Sequence, residues 1–293
     1  MTDNANPFSS LAHWWMLAVA LMAVPAAIAQ EKQPASDRSP FTDKPQVPTG
    51  TARDFVRDIA ADQKQIWVSP LQMSRQSAKW WLVFGAATGT LLATDRRSAH
   101  QLPNTPDQLS VSRHVSQLGA VSSLVPIAGG LYLGGALTGN QKLRATGYLG
   151  AEALVDCLIV SEVLKTATGR QRPLQGDEGG HFFHRGNGFP SGHTIESFAL
   201  ASVIAHRYHE KKAVALLAYG LAATIGVSRF TSREHFASDV LAGGAMGWFI
   251  GRYVSERHRE RDNLPAKVGL TSEANPPVRL AERRNGSLAV WQR

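Results

Sequence analysis

Three short segments in the second half of this 293-residue sequence combine histidine and cationic side chains with small residues. The central segment, Phe189–Thr194, has the sequence Phe-Pro-Ser-Gly-His-Thr and precedes a long apolar run. A proline and a glycine around a serine indicate a loop that turns into a helix N-terminus. Unpaired N–H groups and the helix dipole attract anions there, and Ser191 adds a hydroxyl and His193 a titratable ring. On its own this pattern favours an ordinary capped turn with a surface histidine, and it indicates a phosphate site only in combination with the segments on either side.

The upstream segment, Lys165–Pro173, supplies cations. A helix is predicted to end at Gly169, and Lys165 and Arg172 lie on either side of that end. Cations are also common near helix C-termini because they interact favourably with the helix dipole. This segment therefore indicates a phosphate site only in combination with the others.

The downstream segment is Ser228-Arg229, followed by His235 and Asp239. If the chain is helical from about Glu234, His235 and Asp239 are four residues apart and share a face. The carboxylate can then accept a hydrogen bond from one ring nitrogen and leave the other free to attack, which makes the imidazole a nucleophile. By itself, a surface His–Asp pair capping a turn would explain the same spacing.

Together the three segments provide what phosphoryl transfer requires. Cations and oriented N–H groups neutralise the non-bridging oxygens, one imidazole attacks phosphorus, and a second protonates the leaving oxygen. No metal is needed, and His181 and His184 in the glycine-rich stretch 176–188 are interpreted as loop or substrate-entry residues because no carboxylate pattern completes a metal site. The predicted phosphate cradle consists of Lys165, Arg172, Ser191, the Gly192 N–H and Arg229.

The three segments resemble the signature of the type-2 phosphatidate phosphatase superfamily, which includes bacterial non-specific acid phosphatases and vanadium haloperoxidases. The resemblance covers about Trp80 to Tyr253. It implies a helical bundle with the active site at one end. This is the fold of the soluble members of the family and of its six-span membrane members. The matching segments, in order and spacing, are Lys165-x6-Arg172-Pro173, Pro190-Ser191-Gly192-His193 and Ser228-Arg229-x5-His235-x3-Asp239.

The resemblance also implies a role for each matched residue. His235 would be the nucleophile that forms a phosphohistidine, Asp239 would orient it, and His193 would be the general acid for the leaving group. No position departs from the family pattern. The residues that would bind the phosphate are Lys165, Arg172, Ser191, Gly192 and Arg229.

Apolar helical stretches dominate the sequence, with few β-like alternations. We therefore predict an all-α fold, a helical bundle of about six core helices with the active site at one end. A further amphipathic helix is predicted over residues 51–70, packed on or beside the core. The six core candidates are Trp80–Thr94, Val115–Asn140, Gly147–Leu164, Thr194–Ala205, Ala213–Val227 and Val240–Gly251.

Segments of different composition flank the predicted phosphatase domain, residues 71–258. Residues 1–29 end in the small residues typical of a cleavage site and are predicted to be a signal peptide or an N-terminal anchor, although no Lys or Arg precedes the apolar run. The proline-rich residues 30–50 are predicted to be a disordered linker. Residues 259–293 form a basic tail in a chain of net charge +8, which favours a solvated tail, with weak attraction to an anionic membrane surface as the alternative. No nucleic-acid motif is present.

Length and charge give opposite indications about membrane insertion. A bilayer span needs about 20 apolar residues, whereas Trp80–Thr94 and Ala213–Val227 each offer 15 uncharged positions and the mean hydropathy is −0.17. The basic connections Lys142–Arg144 and Arg207–Lys212 would nevertheless lie on one side, as positive-inside topology requires. That topology starts in the cytoplasm and conflicts with a cleaved signal peptide. We therefore expect export to the periplasm or cell envelope as a soluble or peripheral protein, with an integral membrane protein as the alternative.

Three functions are compatible with these residues. Hydrolysis of phosphomonoesters, either lipid phosphates or small soluble ones, is the primary prediction and needs no cofactor. A vanadium haloperoxidase is the alternative enzyme, because vanadate could occupy the same cradle. A non-catalytic phospholipid-binding protein would be expected to have lost His193 or His235, and both are present. The loops expected to select the substrate include Thr94–Arg113 and Gly176–Gly188.

Overall fold

The fold is all-α, as predicted. Every regular element in the described residues is helical and no strand occurs among them. The predicted signal or anchor segment 1–29, the linker 30–50 and the tail beyond residue 263 lie outside the described residues. The computed structural model describes four stretches of the chain, residues 52–71, 75–102, 105–175 and 179–263.

Eight α-helices follow one another along the described residues. A short 3₁₀ turn, Ser69–Leu71, follows the first of them. The fifth helix ends at Gly169 in the left-handed conformation (φ 51°), so it ends where the sequence predicts. The helices are α1 (Ala52–Val68), α2 (Arg75–Gln101), α3 (Pro106–Gln117), α4 (Val121–Thr138), α5 (Gln141–Thr168), α6 (Gly192–Arg207), α7 (Lys212–Thr231) and α8 (Ala237–Asn263).

The structure corrects the sequence prediction between α2 and α4. The prediction of a loop over Thr94–Arg113 is wrong, because α2 continues to Gln101 and α3 begins at Pro106. Thr105 caps α3 by accepting a hydrogen bond from the Gln108 N–H at 3.3 Å, a helix start in a segment too polar to show apolar periodicity. The helix predicted over 115–140 is likewise divided by a turn between α3 and α4.

The main hydrophobic core lies between α5, α6 and α8. Spacings of three and four residues place each contributing set on one face of its helix. Full burial of one such side chain stabilises the fold by about 1.5–3 kcal/mol, so these three helices form the frame that carries the functional residues. The buried core residues are Leu149, Ala153, Cys157 and Val160 from α5, Ile195, Ala199 and Val203 from α6, and Ile250 and Val254 from α8.

A glycine ladder on α8, formed by Gly243, Gly247 and Gly251, brings α8 into backbone contact with α6. A Cβ atom at Gly247 would lie 2.0 Å from the carbonyl oxygen of Ile195, and one at Gly251 would lie 2.2 Å from that of Ala199. No side chain fits at such distances, so the two helices pack more closely than larger residues would permit. The ladder thereby places the first turns of α6 and α8 side by side.

Two helical segments of the described residues are long and apolar enough to cross a membrane. They are Pro106–Thr138, which contains α3 and α4, and Lys212–Thr231, which is α7. In their most apolar windows only 17% and 33% of the residues are buried by the rest of the protein. Exposed leucines on α2, α4 and α7, among them Leu82, Leu137 and Leu216, add to this apolar surface. The surface weighs against the soluble form expected from the sequence.

The close approach of α6 and α8 can be tested with Gly247→Ala. The new methyl group would overlap the Ile195 carbonyl, and an overlap with backbone is relieved only by moving a helix. We expect the thermal unfolding midpoint, followed by tryptophan fluorescence in detergent, to fall by about 5–10 °C. Gly220→Ala on α7 is the matched control, because nothing lies within 4 Å of its Cβ position. An unchanged midpoint for Gly247→Ala would contradict the packing described.

Candidate active site

The predicted site residues converge at one end of the bundle, where α5 and α7 end and α6 and α8 begin. A backbone hydrogen bond ties the two helix starts together, because the Ser191 N–H donates to the carbonyl oxygen of Asp239 at 3.1 Å. All eight residues singled out in the sequence lie in this region, namely Lys165, Arg172, Ser191, Gly192, His193, Arg229, His235 and Asp239.

The first turn of α6 has the geometry of an anion site. Ser191 is the N-cap residue and Gly192 the first helical residue, so the following N–H groups have no acceptor inside the helix and carry the positive end of its dipole. Ser191 is fully buried, and its Oγ accepts a hydrogen bond from the Thr194 hydroxyl at 2.9 Å. The Ser191 hydroxyl can therefore donate its own proton to an anion.

Lys165 reaches this helix start from the last turn of α5. A Cβ atom at Gly192 would lie 3.2 Å from the Lys165 Nζ, so the ammonium group lies directly against the glycine. The same Nζ bonds the Glu162 carboxylate at 2.7 Å. Glycine at position 192 thus allows a cation and the helix N-terminus to face one anion.

Two guanidinium groups converge on Glu234, which lies just before His235 in the chain. Arg172 bonds the Glu234 Oε2 at 2.5 Å, and the Arg229 Nη2 lies 3.7 Å from the same oxygen. Arg229 also donates to the Ser116 hydroxyl of α3 at 3.3 Å. One carboxylate shared by two cations leaves a net positive charge, which favours an anionic ligand.

His235 is buried, and its hydrogen bond differs from the one predicted. Its Nδ1 lies 2.7 Å from the carbonyl oxygen of Gly188 but 3.8 Å from the Asp239 Oδ2. The predicted hydrogen bond to Asp239 is therefore replaced by one to the 170–191 loop. The reason is that the Asp239 carboxylate is already bound by Arg170 and by the Phe236 N–H at 2.9 Å. Since a carbonyl oxygen can only accept, Nδ1 carries the proton and Nε2 has a lone pair.

Electrostatics keep His235 in this neutral form. Burial lowers the pKa of His235 well below its usual value, and the nearby Arg229 and Arg172 lower it further. Burial raises the pKa of Asp239 to about 7, although Arg170 opposes this effect. A neutral, oriented imidazole is the nucleophilic form of histidine.

His193 occupies the first turn of α6, beside the same cations. Burial lowers its pKa to about 3, with further contributions from Arg229, His235 and Lys165. His193 is therefore neutral in the free protein over the physiological pH range. A dianionic ligand in the cradle would offset the cations and favour the protonated ring that a general acid requires.

The structure adds three polar residues that the sequence prediction did not include. Arg170 bonds both Ser238 and Asp239, and Asp95 reaches Arg170 and Ser238 from α2. The available sequence signal for Asp95 was an acidic residue that directly follows an apolar helical stretch. Arg96 and Arg97 come immediately after it, however, and three charged residues in a row are typical of a solvated helix end. Only the tertiary contacts assign these residues to the site.

The residues that could hold a metal ion lie elsewhere. His181 and His184, interpreted from the sequence as loop residues, belong to the 179–191 stretch, and their ring centroids are 5.6 Å apart. Among the described residues, the ligand atoms of Asp58, Glu152 and His258 are grouped within 4.8 Å of one another. His258 bonds Glu152 at 2.9 Å, and Glu152 is about 20 Å along α5 from Lys165. This cluster is separate from the phosphate cradle.

The fold and the site define a helical bundle with a positively charged end that holds two histidines of lowered pKa. Residues 144–262 match the family model described as the PAP2 superfamily. This segment runs from α5 to α8 and contains all eight predicted site residues, so the match to the family model covers the whole of the predicted site. The resemblance identified in the sequence is thereby confirmed.

Two similar proteins give the extent of the likeness. The chain is 31% identical over 142 residues to lipid A 1-phosphatase from Porphyromonas gingivalis, and this alignment covers 45% of the chain and 28% of that protein. A solved structure, the first transmembrane PAP2-type phosphatidylglycerolphosphate phosphatase from Bacillus subtilis, is similar with a TM-score of 0.46 and 20% identity. That similarity covers 71% of this chain and 96% of the other.

The charge state of His193 can be measured by NMR titration of its ring protons, assigned by their loss in His193→Gln. We expect the ring to stay neutral down to about pH 4 in the free protein, because burial and three cationic neighbours disfavour the imidazolium. Saturation with inorganic phosphate should raise the pKa, since the bound anion stabilises the charged ring. A ring that titrates near its usual pKa without phosphate, or that does not respond to phosphate, would contradict this electrostatic description.

Proposed function

We propose that this protein is a phosphatase that hydrolyses phosphomonoesters through a phosphohistidine intermediate. The observation that carries the proposal is the hydrogen bond from His235 Nδ1 to the Gly188 carbonyl, which directs the lone pair to Nε2. Lys165, Arg172 and Arg229 surround the histidine pair with positive charge. This combination suits attack on a phosphate group.

In the first step, His235 Nε2 forms a bond to phosphorus while the bond from phosphorus to the ester oxygen breaks. The ester oxygen takes the electron pair of that bond and a proton from His193. The cations and the α6 N–H groups stabilise the charge on the three remaining oxygens. The products of this step are the free alcohol and a phosphohistidine.

In the second step, water attacks the phosphohistidine. His193, now neutral, accepts a proton from the water, and the phosphorus–nitrogen bond breaks with return of its electron pair to Nε2. The positive charge of the cradle again stabilises the transition state. Phosphate then leaves and both histidines are in their starting forms once His193 has lost its proton.

The proposed mechanism uses no metal ion or organic cofactor. Lys165, Arg172 and Arg229 and the start of α6 supply the positive charge that a metal would otherwise supply to the non-bridging oxygens. Vanadate has the shape and charge of phosphate and would occupy the same cradle. We therefore infer that vanadate inhibits the reaction.

We further infer that the substrate is a phosphorylated lipid rather than a small soluble phosphomonoester. The support is twofold. The P. gingivalis protein similar to this chain is named as a phosphatase of lipid A. The apolar faces of α4 and α7 are uncovered among the described residues and suit contact with lipid chains.

His235→Ala should abolish phosphate release from phosphatidate in detergent micelles, with a loss of at least about 10³-fold, because it removes the attacking group. When the wild-type protein turns over ³²P-labelled substrate and is then quenched, it should carry a covalent label that is labile in acid and stable in alkali. The variant should carry no such label. Exposed His209 provides the control variant His209→Ala, and treatment with a chelator should leave the wild-type rate unchanged. An active wild-type enzyme without a trapped adduct would refute the covalent route.

Membrane insertion can be tested by fractionation of cells that express the full chain. We expect the protein to stay in the membrane pellet after alkaline carbonate washing and to dissolve in detergent, because α4 and α7 expose apolar faces. A soluble periplasmic protein expressed in the same cells serves as the control for release by osmotic shock. Release of this protein together with that control would show that it is soluble, and would favour small phosphomonoesters as substrates.

A further inference from the structure

Asp95 is a buried acidic residue on a helix that is otherwise exposed. Among the described side chains of α2, Asp95 and Ala99 are the buried ones, with 2% and 4% of their surface exposed. The neighbouring Arg96 and Arg97 face solvent. Removing a carboxylate from water costs several kcal/mol unless hydrogen-bond donors compensate it. The burial of Asp95 therefore requires specific partners.

Those partners come from two elements of the active site. Arg170, the residue after the Gly169 cap of α5, donates from Nη2 to the Asp95 Oδ2 at 2.7 Å. Ser238, in the first turn of α8, donates its backbone N–H to the Asp95 Oδ1 at 3.2 Å, and its hydroxyl also bonds the carboxylate. Asp95 therefore caps the N-terminus of α8 from a different helix, where the helix dipole also favours a negative charge.

Arg170 connects Asp95 to Asp239. Its guanidinium is buried against the rings of Phe182 and Phe236, with distances from Cζ to the ring centroids of 4.8 and 4.7 Å. From Nη1 it donates to the Ser238 Oγ at 2.7 Å and to the Asp239 Oδ1. A planar group that packs against two aromatic rings and is bonded at both terminal nitrogens holds its acceptors in fixed directions.

The hydrogen bonds that link Asp95, Arg170, Ser238 and Asp239 end next to the imidazole ring of His235. Asp239 accepts the Phe236 N–H at 2.9 Å through Oδ2, and the same oxygen lies 3.8 Å from the His235 Nδ1. His235 belongs to the short turn between α7 and α8, so any shift in the first turn of α8 moves its ring. The direction of the His235 Nε2 therefore depends on contacts that begin on α2.

We propose that Asp95 is a positioning residue for His235. Through Arg170 and Ser238 it holds the first turn of α8, and thereby aims the His235 Nε2 at an anion in the cradle. Asp95 lies ahead of residues 144–262, the segment that matches the family model, so α2 supplies part of the site from outside that segment. A test by enzyme kinetics rests on the proposed phosphatase activity, whereas a test by anion binding does not.

The kinetic test is the variant Asp95→Asn, assayed as the full chain in detergent with phosphatidate. We expect kcat to fall about ten-fold with KM changed less than about two-fold, because misalignment slows attack while the cradle residues do not contact Asp95. Rates are expressed per anion site, counted by calorimetric titration with inorganic phosphate, so that unfolded protein does not contribute. Arg96→Gln, at the exposed neighbouring position, is the matched control and should keep wild-type kinetics.

The binding test compares two anions without turnover. Vanadate can bond to an aligned histidine nitrogen and then resembles the transition state, whereas phosphate only fills the cradle. We expect Asp95→Asn to weaken vanadate binding about ten-fold and phosphate binding by at most about two-fold. Ser238→Ala, which keeps every charge and removes one hydroxyl from the network, should show the same selective loss on a smaller scale if Asp95→Asn does not fold.

The outcomes separate the two proposals. Equal weakening of vanadate and phosphate, or wild-type affinity for vanadate in both variants, would overturn the positioning role of Asp95. A rise in KM with unchanged kcat would also overturn it, because it would indicate contact with the substrate. A wild-type protein that binds vanadate but releases no phosphate from phosphomonoesters would refute the proposed function, and the vanadate comparison would still decide the role of Asp95.

Discussion

Backbone contact between α6 and α8 is the constraint on which the rest of the site depends. The two helices start at the same end of the bundle, one contributing Ser191 and His193 and the other Asp239 with His235 just ahead of it. Because the glycine ladder lets main chain touch main chain, the separation between the two histidines is set by the packing of helices and not by a flexible loop. In-line attack on phosphorus requires such control, since small displacements of reacting groups slow the reaction strongly.

Charge balance is the second constraint. Three cations face one position, and in the free protein each of them is close to a carboxylate, Lys165 to Glu162 and both arginines to Glu234. These carboxylates reduce the mutual repulsion of the cations without cancelling their charge. Burial and the same positive charge both lower the pKa values of His193 and His235, so one electrostatic arrangement favours both an anionic ligand and neutral imidazoles.

Most of the helices and the residues that converge at the candidate site could be predicted from the sequence, because both depend on short-range patterns. The start of α6 after Ser191 and the end of α5 at Gly169 follow from local chemistry. The partner of His235 could not be predicted in this way. Four-residue spacing places Asp239 on the same face, but the loop carbonyl of Gly188, distant in sequence, lies closer to the ring. Asp95 was missed for the same reason, since only tertiary packing brings it to Arg170.

The contacts of Asp95 and Ser116 also bear on where the functional unit of this chain begins. A fragment limited to residues 144–262 would retain all eight signature residues and appear complete by sequence comparison. It would nevertheless lack the hydroxyl that Arg229 bonds and the carboxylate that caps α8. Arg170 would lose its ion pair with Asp95, and removing one partner of a buried ion pair commonly costs about 3–5 kcal/mol. The buried polar contacts of the predicted site therefore extend at least as far back along the chain as α2.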